Sequence, residues 1–223
     1  MYKRRIPTDK QWFDYKNNKH AGWLFCFMSS SASYHDKLYY PKQRFLDDLP
    51  LIKKFLGVND KRTINRYLNI LKNNNYISED DKNYYFPYVI GQGTYILLDR
   101  DLLYNLCITK STLLIQIFCY LYMRMSMKES LSGESEYNFT LKEIRVALGY
   151  SSKSQNATIE KAIKECLETM KAGDYIDYEN IYVDIMVNGV PEKVPNFKLT
   201  KIIEELPQKI QEIKSEEKNT FIF

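Results

Sequence analysis

The segment Leu51–Ser78, LIKKFLGVNDKRTINRYLNILKNNNYIS, constrains the fold of this chain more than any other. Gly57-Val58 punctuates two runs of helical spacing. Upstream, Gln43–Leu56 carries Phe45, Leu46, Leu49, Ile52, Phe55 and Leu56 at mostly helical intervals, and Pro50 should kink or split that helix. Downstream, Asn59 or Asp60 is placed to cap a second helix, running from about Asn59 to Asn74. Ile64, Tyr67, Leu68 and Leu71 then fall at i, i+3, i+4 and i+7, which makes a single apolar stripe. Past Asn75, Tyr76-Ile77-Ser78 and Tyr84-Tyr85-Phe86 flank the polar stretch Glu79–Asn83, the pattern of a hairpin.

The remainder of the chain falls into two halves of similar plan, divided at Gly91-Gln92-Gly93. Before the segment above come an apolar helix, Ala21–Ser31, and a short strand, Leu38–Tyr40, ended by Pro41. After the glycines, Thr94–Leu98 is expected as a strand, and Asp99 or Asp101 as the start of one long helix to about Met127. Tyr137–Phe139 is a short strand. Thr140 with Glu143 three residues on predicts a capping box, with Leu141, Ile144 and Leu148 facing inward. Gly149–Ser152 is the turn into a helix from about Gln155 to Lys171, whose inner face is Ile159, Ala162, Ile163, Cys166, Leu167 and Met170. Tyr175–Leu199 supplies two strands around Asn188-Gly189. Thr200–Lys214 is expected as one or two helices broken by Pro207. The fold class is therefore α+β, mainly helical, with two tandem winged helix-turn-helix domains over 1–91 and 92–200 and a C-terminal helical, polar tail over 201–223.

With its apolar stripe turned inward, the helix near Asn59–Asn74 presents Lys61, Arg62, Thr63, Asn65, Arg66, Asn69, Lys72 and Asn73 outward, and no acid occurs between Lys61 and Asn75. A solvated face ordinarily mixes both signs of charge. Arg suits the guanine edge, Asn the adenine edge and Lys phosphate. Arg62, Thr63, Asn65 and Arg66 are therefore the expected base readers and Lys72 a phosphate contact, while a solvated basic face is the bland alternative. At the hairpin tip Lys82 is placed to touch phosphate, whereas Glu79, Asp80 and Asp81 should repel it. Lys3, Arg4 and Arg5 form a basic stretch placed to enter an adjacent groove as an arm. The second recognition helix opens with Ser151, Ser152, Lys153, Ser154, Gln155 and Asn156, followed by Thr158 and Lys161 on its outer face, but Glu160, Glu165 and Glu168 are mixed in further along.

Other functions find little support. The chain of 223 residues has a net charge of +4, which permits a nucleic-acid partner without demanding one. Four cysteines, none in a CxxC pair, and only two histidines argue against a zinc site, and each cysteine sits in an apolar run as a small buried hydrophobe. No metal, cofactor or catalytic motif is expected, so the chain is not expected to be an enzyme. Asp47 and Asp48 read as helix-end caps. No apolar run is long enough to span a bilayer, and a reduced, cytoplasmic setting is expected.

Two tandem winged helices in a chain of this length resemble plasmid replication initiator proteins of low-GC Gram-positive bacteria, and phage replisome organisers share the architecture. The stretches TYILLDRDLLYNLCITKSTLLIQIFCYLYMRMSM and YNFTLKEIRVALGYSSKS are similar to the strand, long helix and entry into a second helix-turn-helix of that family. The resemblance implies binding to double-stranded DNA at repeated or palindromic origin sites. It also makes a second copy of the chain and host replication proteins candidate partners, and it assigns no catalytic residue. A transcriptional regulator of the same fold, and a winged-helix module for protein interaction or dimerisation, are the alternatives.

Overall fold

Helix α1, Lys19–Ser31, is apolar on every face, and a helix of that kind has to be surrounded. In the computed structural model, which describes residues 3–7, 19–86, 95–109, 111–151, 157–187 and 190–206, it is the central post. Trp23, Leu24, Phe25, Cys26, Phe27 and Met28 are almost wholly buried. Each large apolar side chain so buried contributes roughly 1.5–3 kcal/mol, so the surrounding elements are assembled on α1. They are β3 (Leu38–Pro41), α3 (Leu49–Leu56), α4 (Lys61–Asn73) and α5 (Arg100–Thr109). Helix α2, Lys42–Asp47, is separated from α3 by Asp48, and Pro50 stands in the first turn of α3, where its missing N–H costs no hydrogen bond. The expected split at Pro50 thus falls two residues earlier. Asp48 makes no side-chain cap; its carboxylate accepts the Tyr40 hydroxyl and pairs with Arg44.

Three antiparallel sheets occur among the described residues. Strands β2 (Ser33–Tyr34), β3, β5 (Asn83–Phe86) and β4 (Ser78–Glu79) lie in the order β2-β3-β5-β4. Phe86 meets Phe25 edge-on, and Tyr84 meets Phe45, so the aromatic hairpin is pinned to α1 and α2. Strand β1, Lys3–Pro7, pairs with β6, Tyr95–Asp99, in the register Arg4↔Leu98. These two strands stand on opposite sides of the expected division at Gly91–Gly93, which lies outside the described residues. Backbone hydrogen bonds and the packing of α5 on α1 therefore join the two halves.

The second half is built on α6, Thr112–Ser132, whose residues Leu114–Tyr122 are buried all round. The single long helix expected from Asp99 or Asp101 to Met127 is instead two helices. Asp99 Oδ1 accepts the Asp101 and Leu102 N–H groups at the start of α5, and Ser111 accepts the Leu114 N–H as the cap of α6. A second cap inside the run gives the backbone a place to restart. Strand β7 (Tyr137–Phe139), helix α7 (Leu141–Ala147) and helix α8 (Ala157–Ala172) follow. Thr140 caps α7 through the Glu143 N–H, but the Glu143 carboxylate does not complete a capping box: it accepts the Tyr120 and Tyr137 hydroxyls and lies 3.5 Å from Arg124.

Strands β8 (Ile176–Val187) and β9 (Val190–Ile202) form the last sheet with β7, in the order β7-β9-β8. The helix expected from Thr200 is overturned at its start, because Thr200–Ile202 continue β9. Lys201 pairs with Asp177 and Ile202 with Ile176, across a bulge that leaves Thr200 as the extra residue of β9. The rest of the expected tail, 207–223, lies outside the described residues. Cys26, Cys107 and Cys119 are buried, Cys166 is half-buried and all are free thiols. No helix among the described residues is long and apolar enough to cross a membrane.

Candidate nucleic-acid interface

The turn between α3 and α4 is local chemistry. Gly57 takes the left-handed conformation, φ 65°, and donates its N–H to the last carbonyls of α3, while Val58 N–H reaches Lys53 O at 3.0 Å. Asp60 is extended and caps α4, its Oδ1 accepting the Thr63 N–H at 2.7 Å. Hydrogen bonds from the Thr63 side chain and backbone hold the Asp60 carboxyl below its usual range. Thr63 is half-buried and turned toward this cap, so fastening the helix entry is its visible task.

Ile64, Tyr67, Leu68 and Leu71 are buried against the core, as the spacing predicted. That orientation leaves Lys61, Arg62, Asn65, Arg66 and Asn69 exposed together on one face. No carboxylate among the described residues pairs with Lys61, Arg62 or Arg66; the Arg66 guanidinium lies 5.5 Å from the Tyr67 ring centre. Lys53 and Lys54, in the last turn of α3, add two more cations beside the turn. They lie outside the α4 face that the apolar stripe defines, although the KK pair is visible in the sequence.

The hairpin corrects an electrostatic expectation. Glu79 does not stand as a repulsive charge: Lys42 Nζ lies 2.9 Å and Lys72 Nζ 2.7 Å from its two oxygens. These ammonium groups, Lys72 first, hold the Glu79 carboxyl below its usual range. Asp80 is turned into the tip, where it accepts the Lys82 and Asn83 N–H groups and the Tyr85 hydroxyl. Lys82 is exposed. Lys72, expected as a free phosphate contact, is committed to Glu79 because the last turn of α4 packs beside β4.

The basic arm is not an arm. Arg4 is 7% exposed, and its guanidinium donates to Ser29 O at 2.9 Å and Ala32 O at 3.2 Å. It closes the C-terminal end of α1, where the unsatisfied carbonyls carry partial negative charge. Arg44 does the same for Ser31 O at 3.0 Å. Lys3 pairs with Glu204 at 3.6 Å, and Arg5 lies 4.8 Å from the Tyr95 ring centre.

At α8, Ser151, Thr158 and Lys161 are exposed, while Ser152, Lys153, Ser154, Gln155 and Asn156 lie outside the described residues. Two of the three glutamates on α8 are structural ties: Glu160 pairs with the buried Arg145 of α7 at 3.2 Å, and Glu168 accepts the Tyr178 hydroxyl. The third, Glu165, lies 3.9 Å from Lys161. No group of His, Cys, Asp and Glu suited to hold a metal occurs among the described residues. No protein-family model, curated protein or solved structure matches the chain.

Proposed function

We propose that α4 is a recognition helix and that the chain binds double-stranded DNA in a sequence-specific manner. The observation that carries this reading is the α4 face itself: Lys61, Arg62, Asn65, Arg66 and Asn69 exposed side by side, without a carboxylate partner among the described residues. A face built for water alone gains nothing by excluding acids. A major groove rewards this composition, because Arg and Asn each make two-pronged contacts with base edges. The surroundings agree with such docking. A helix-turn-helix places the start of its second helix in the groove and the end of its first against the backbone, which is where Lys53 and Lys54 stand. The antiparallel hairpin β4–β5 follows α4 as a wing, with Lys82 exposed at its tip. Helices α7 and α8 with the β8–β9 hairpin repeat this order of elements and form the second winged helix of the reading. Initiation of plasmid or phage replication at an origin with repeated sites is the biological form we infer.

The test is selection of bound sequences from a random duplex pool at physiological salt, followed by titration of the selected site with Arg62→Ala and Arg66→Ala. Each substitution should cost roughly 1–3 kcal/mol and relax base choice at one position. Normal binding by the double variant would end the assignment of α4. Selected sites that map to repeats at an origin support the initiator; sites in promoters identify a regulator of the same architecture.

A further inference from the structure

Among the described residues, no strand pairs with the outer edge of β8. Beyond the short β7, which meets β9 only through Tyr137–Phe139, Asn180–Val187 and Val190–Asn196 continue as a two-stranded ribbon among the described residues. Such a ribbon is marginal in water by itself. Tyr182 and Met186 are 72% and 69% exposed on it.

Which backbone groups face the open edge follows from the prolines. Pro191 and Pro195 have no N–H, yet they stand within the ladder, opposite Met186 and Tyr182. They fit only at pairs whose polar backbone groups point away from each other. The same phase turns the N–H and C=O of Asn180, Tyr182, Asp184 and Met186 to the outer edge of β8. Tyr178 belongs to this phase, and there the fold satisfies both groups: its N–H donates to Asp177 Oδ1 at 2.9 Å, and Lys171 Nζ donates to its carbonyl at 2.7 Å. Among the described residues, no bond of that kind reaches the outward groups from Asn180 to Met186.

The edge also lacks two of the usual guards. Lysine and proline blunt exposed edges; β9 has Pro191 and Pro195, whereas Ile176–Val187 contains neither residue type. Its acids, Asp177, Glu179 and Asp184, stand opposite Lys201, Lys198 and Lys193 of β9. With Glu192 the hairpin has four acids and three lysines, a small net charge that gives a basic peptide little pull and lets two identical edges approach.

We propose that β8 pairs antiparallel with β8 of a second copy of this chain, joining the two hairpins into a continuous sheet, β9-β8-β8-β9. A two-fold axis centred on Tyr182 sets Asp184 against Asn180 of the second copy, so no like charges face each other.

The full chain should then approach twice its 26.5 kDa mass by light scattering as concentration rises. The amides of Asn180, Tyr182 and Asp184 should become protected from hydrogen exchange over the same range. Asn180→Pro combined with Asp184→Pro removes two outward donors and leaves the β8–β9 ladder intact. It should weaken dimerisation at least about tenfold, a shift of about 1.4 kcal/mol, with the far-ultraviolet spectrum unchanged. Should that variant misfold, the exchange pattern of the unmodified chain decides. A monomer at every concentration overturns the proposal, as does a dimer without protection at these amides. A dimer lost on deletion of 207–223 but kept in the proline variant assigns the contact to that segment instead. None of these outcomes bears on whether α4 reads DNA.

Discussion

Lys72 Nζ lies 2.7 Å from Glu79 Oε1, and this pair fastens the last turn of α4 to the first strand of the hairpin that follows it. Lys42 Nζ closes the arrangement from the N-terminus of α2. One carboxylate thus holds two cations on the side of the molecule proposed to meet DNA. Replacing it with an amide releases both. Glu79→Gln should lower stability by about 0.2–1 kcal/mol, the range of a partly exposed pair. It should also raise DNA affinity and steepen its dependence on salt, since freed cations neutralise phosphates. Fluorescence anisotropy across a salt series checks both; a loss of affinity would mean that the clamp orients the hairpin instead of competing with DNA.

The same pair predicts an acid-side weakness. The Glu79 carboxyl is held below its ordinary value of 4.5 by Lys72 and then Lys42. A group with a depressed folded pKa contributes stability that is present above its unfolded pKa and disappears as pH falls through the folded one. Thermal unfolding should therefore show a loss that begins near pH 4.5 and continues below it. Glu79→Gln should flatten that part of the profile, and an unchanged profile in the variant would place the loss elsewhere.

Arg4→Ala separates a structural arginine from a DNA-binding one. Its guanidinium is buried on Ser29 O and Ala32 O. Truncation strands those carbonyls and should cost about 1–3 kcal/mol of stability in denaturant unfolding. DNA affinity per folded molecule should be unchanged. A fall in affinity without a fall in stability would restore the basic arm.

Gln116 offers the opposite case. It is fully buried in α6, and neither its amide nitrogen nor its oxygen has a hydrogen-bond partner among the described residues. Gln116→Met keeps the shape and removes the desolvated amide, so it should stabilise the fold by about 1–3 kcal/mol. A destabilised variant would show that the amide has a partner outside the described residues.

The thiols should be slow to react. Burial pushes Cys166, the least enclosed of the four, up to about 11, and Cys26 and Cys107 well above the usual value. At about pH 8 roughly a thousandth of Cys166 is thiolate. Alkylation of the native protein should lag far behind that of the unfolded chain, and rapid labelling of Cys166 would contradict its burial.

Much of the fold was legible because it rests on local rules. The stripe Ile64-Tyr67-Leu68-Leu71, the αL glycine at Gly57 and the cap at Asp60 are short-range devices, and each appears where its spacing places it. The outward set on α4 follows from that stripe alone. Helix boundaries were less legible where two signals competed: Ser111 restarts a helix inside an unbroken apolar run, and backbone pairing with Ile176 and Asp177 carries β9 through Thr200–Ile202. The acid-free face of α4 and the division into helices, turns and hairpins were thus determined by sequence.

Partnership was decided by tertiary structure, because a side chain's neighbour across a fold leaves no mark on local spacing. Lys72 and Arg4 look like free cations in the sequence, yet one meets Glu79 across the α4–hairpin junction and the other is buried at the end of α1, twenty-five residues away. Glu143 completes a capping-box pattern on paper and instead binds Tyr120 and Tyr137. The clamp of Lys72 on Glu79 is of the same kind: packing of the α4 C-terminus on β4 brings together a base and an acid whose charges, read along the chain, have opposite effects on a phosphate.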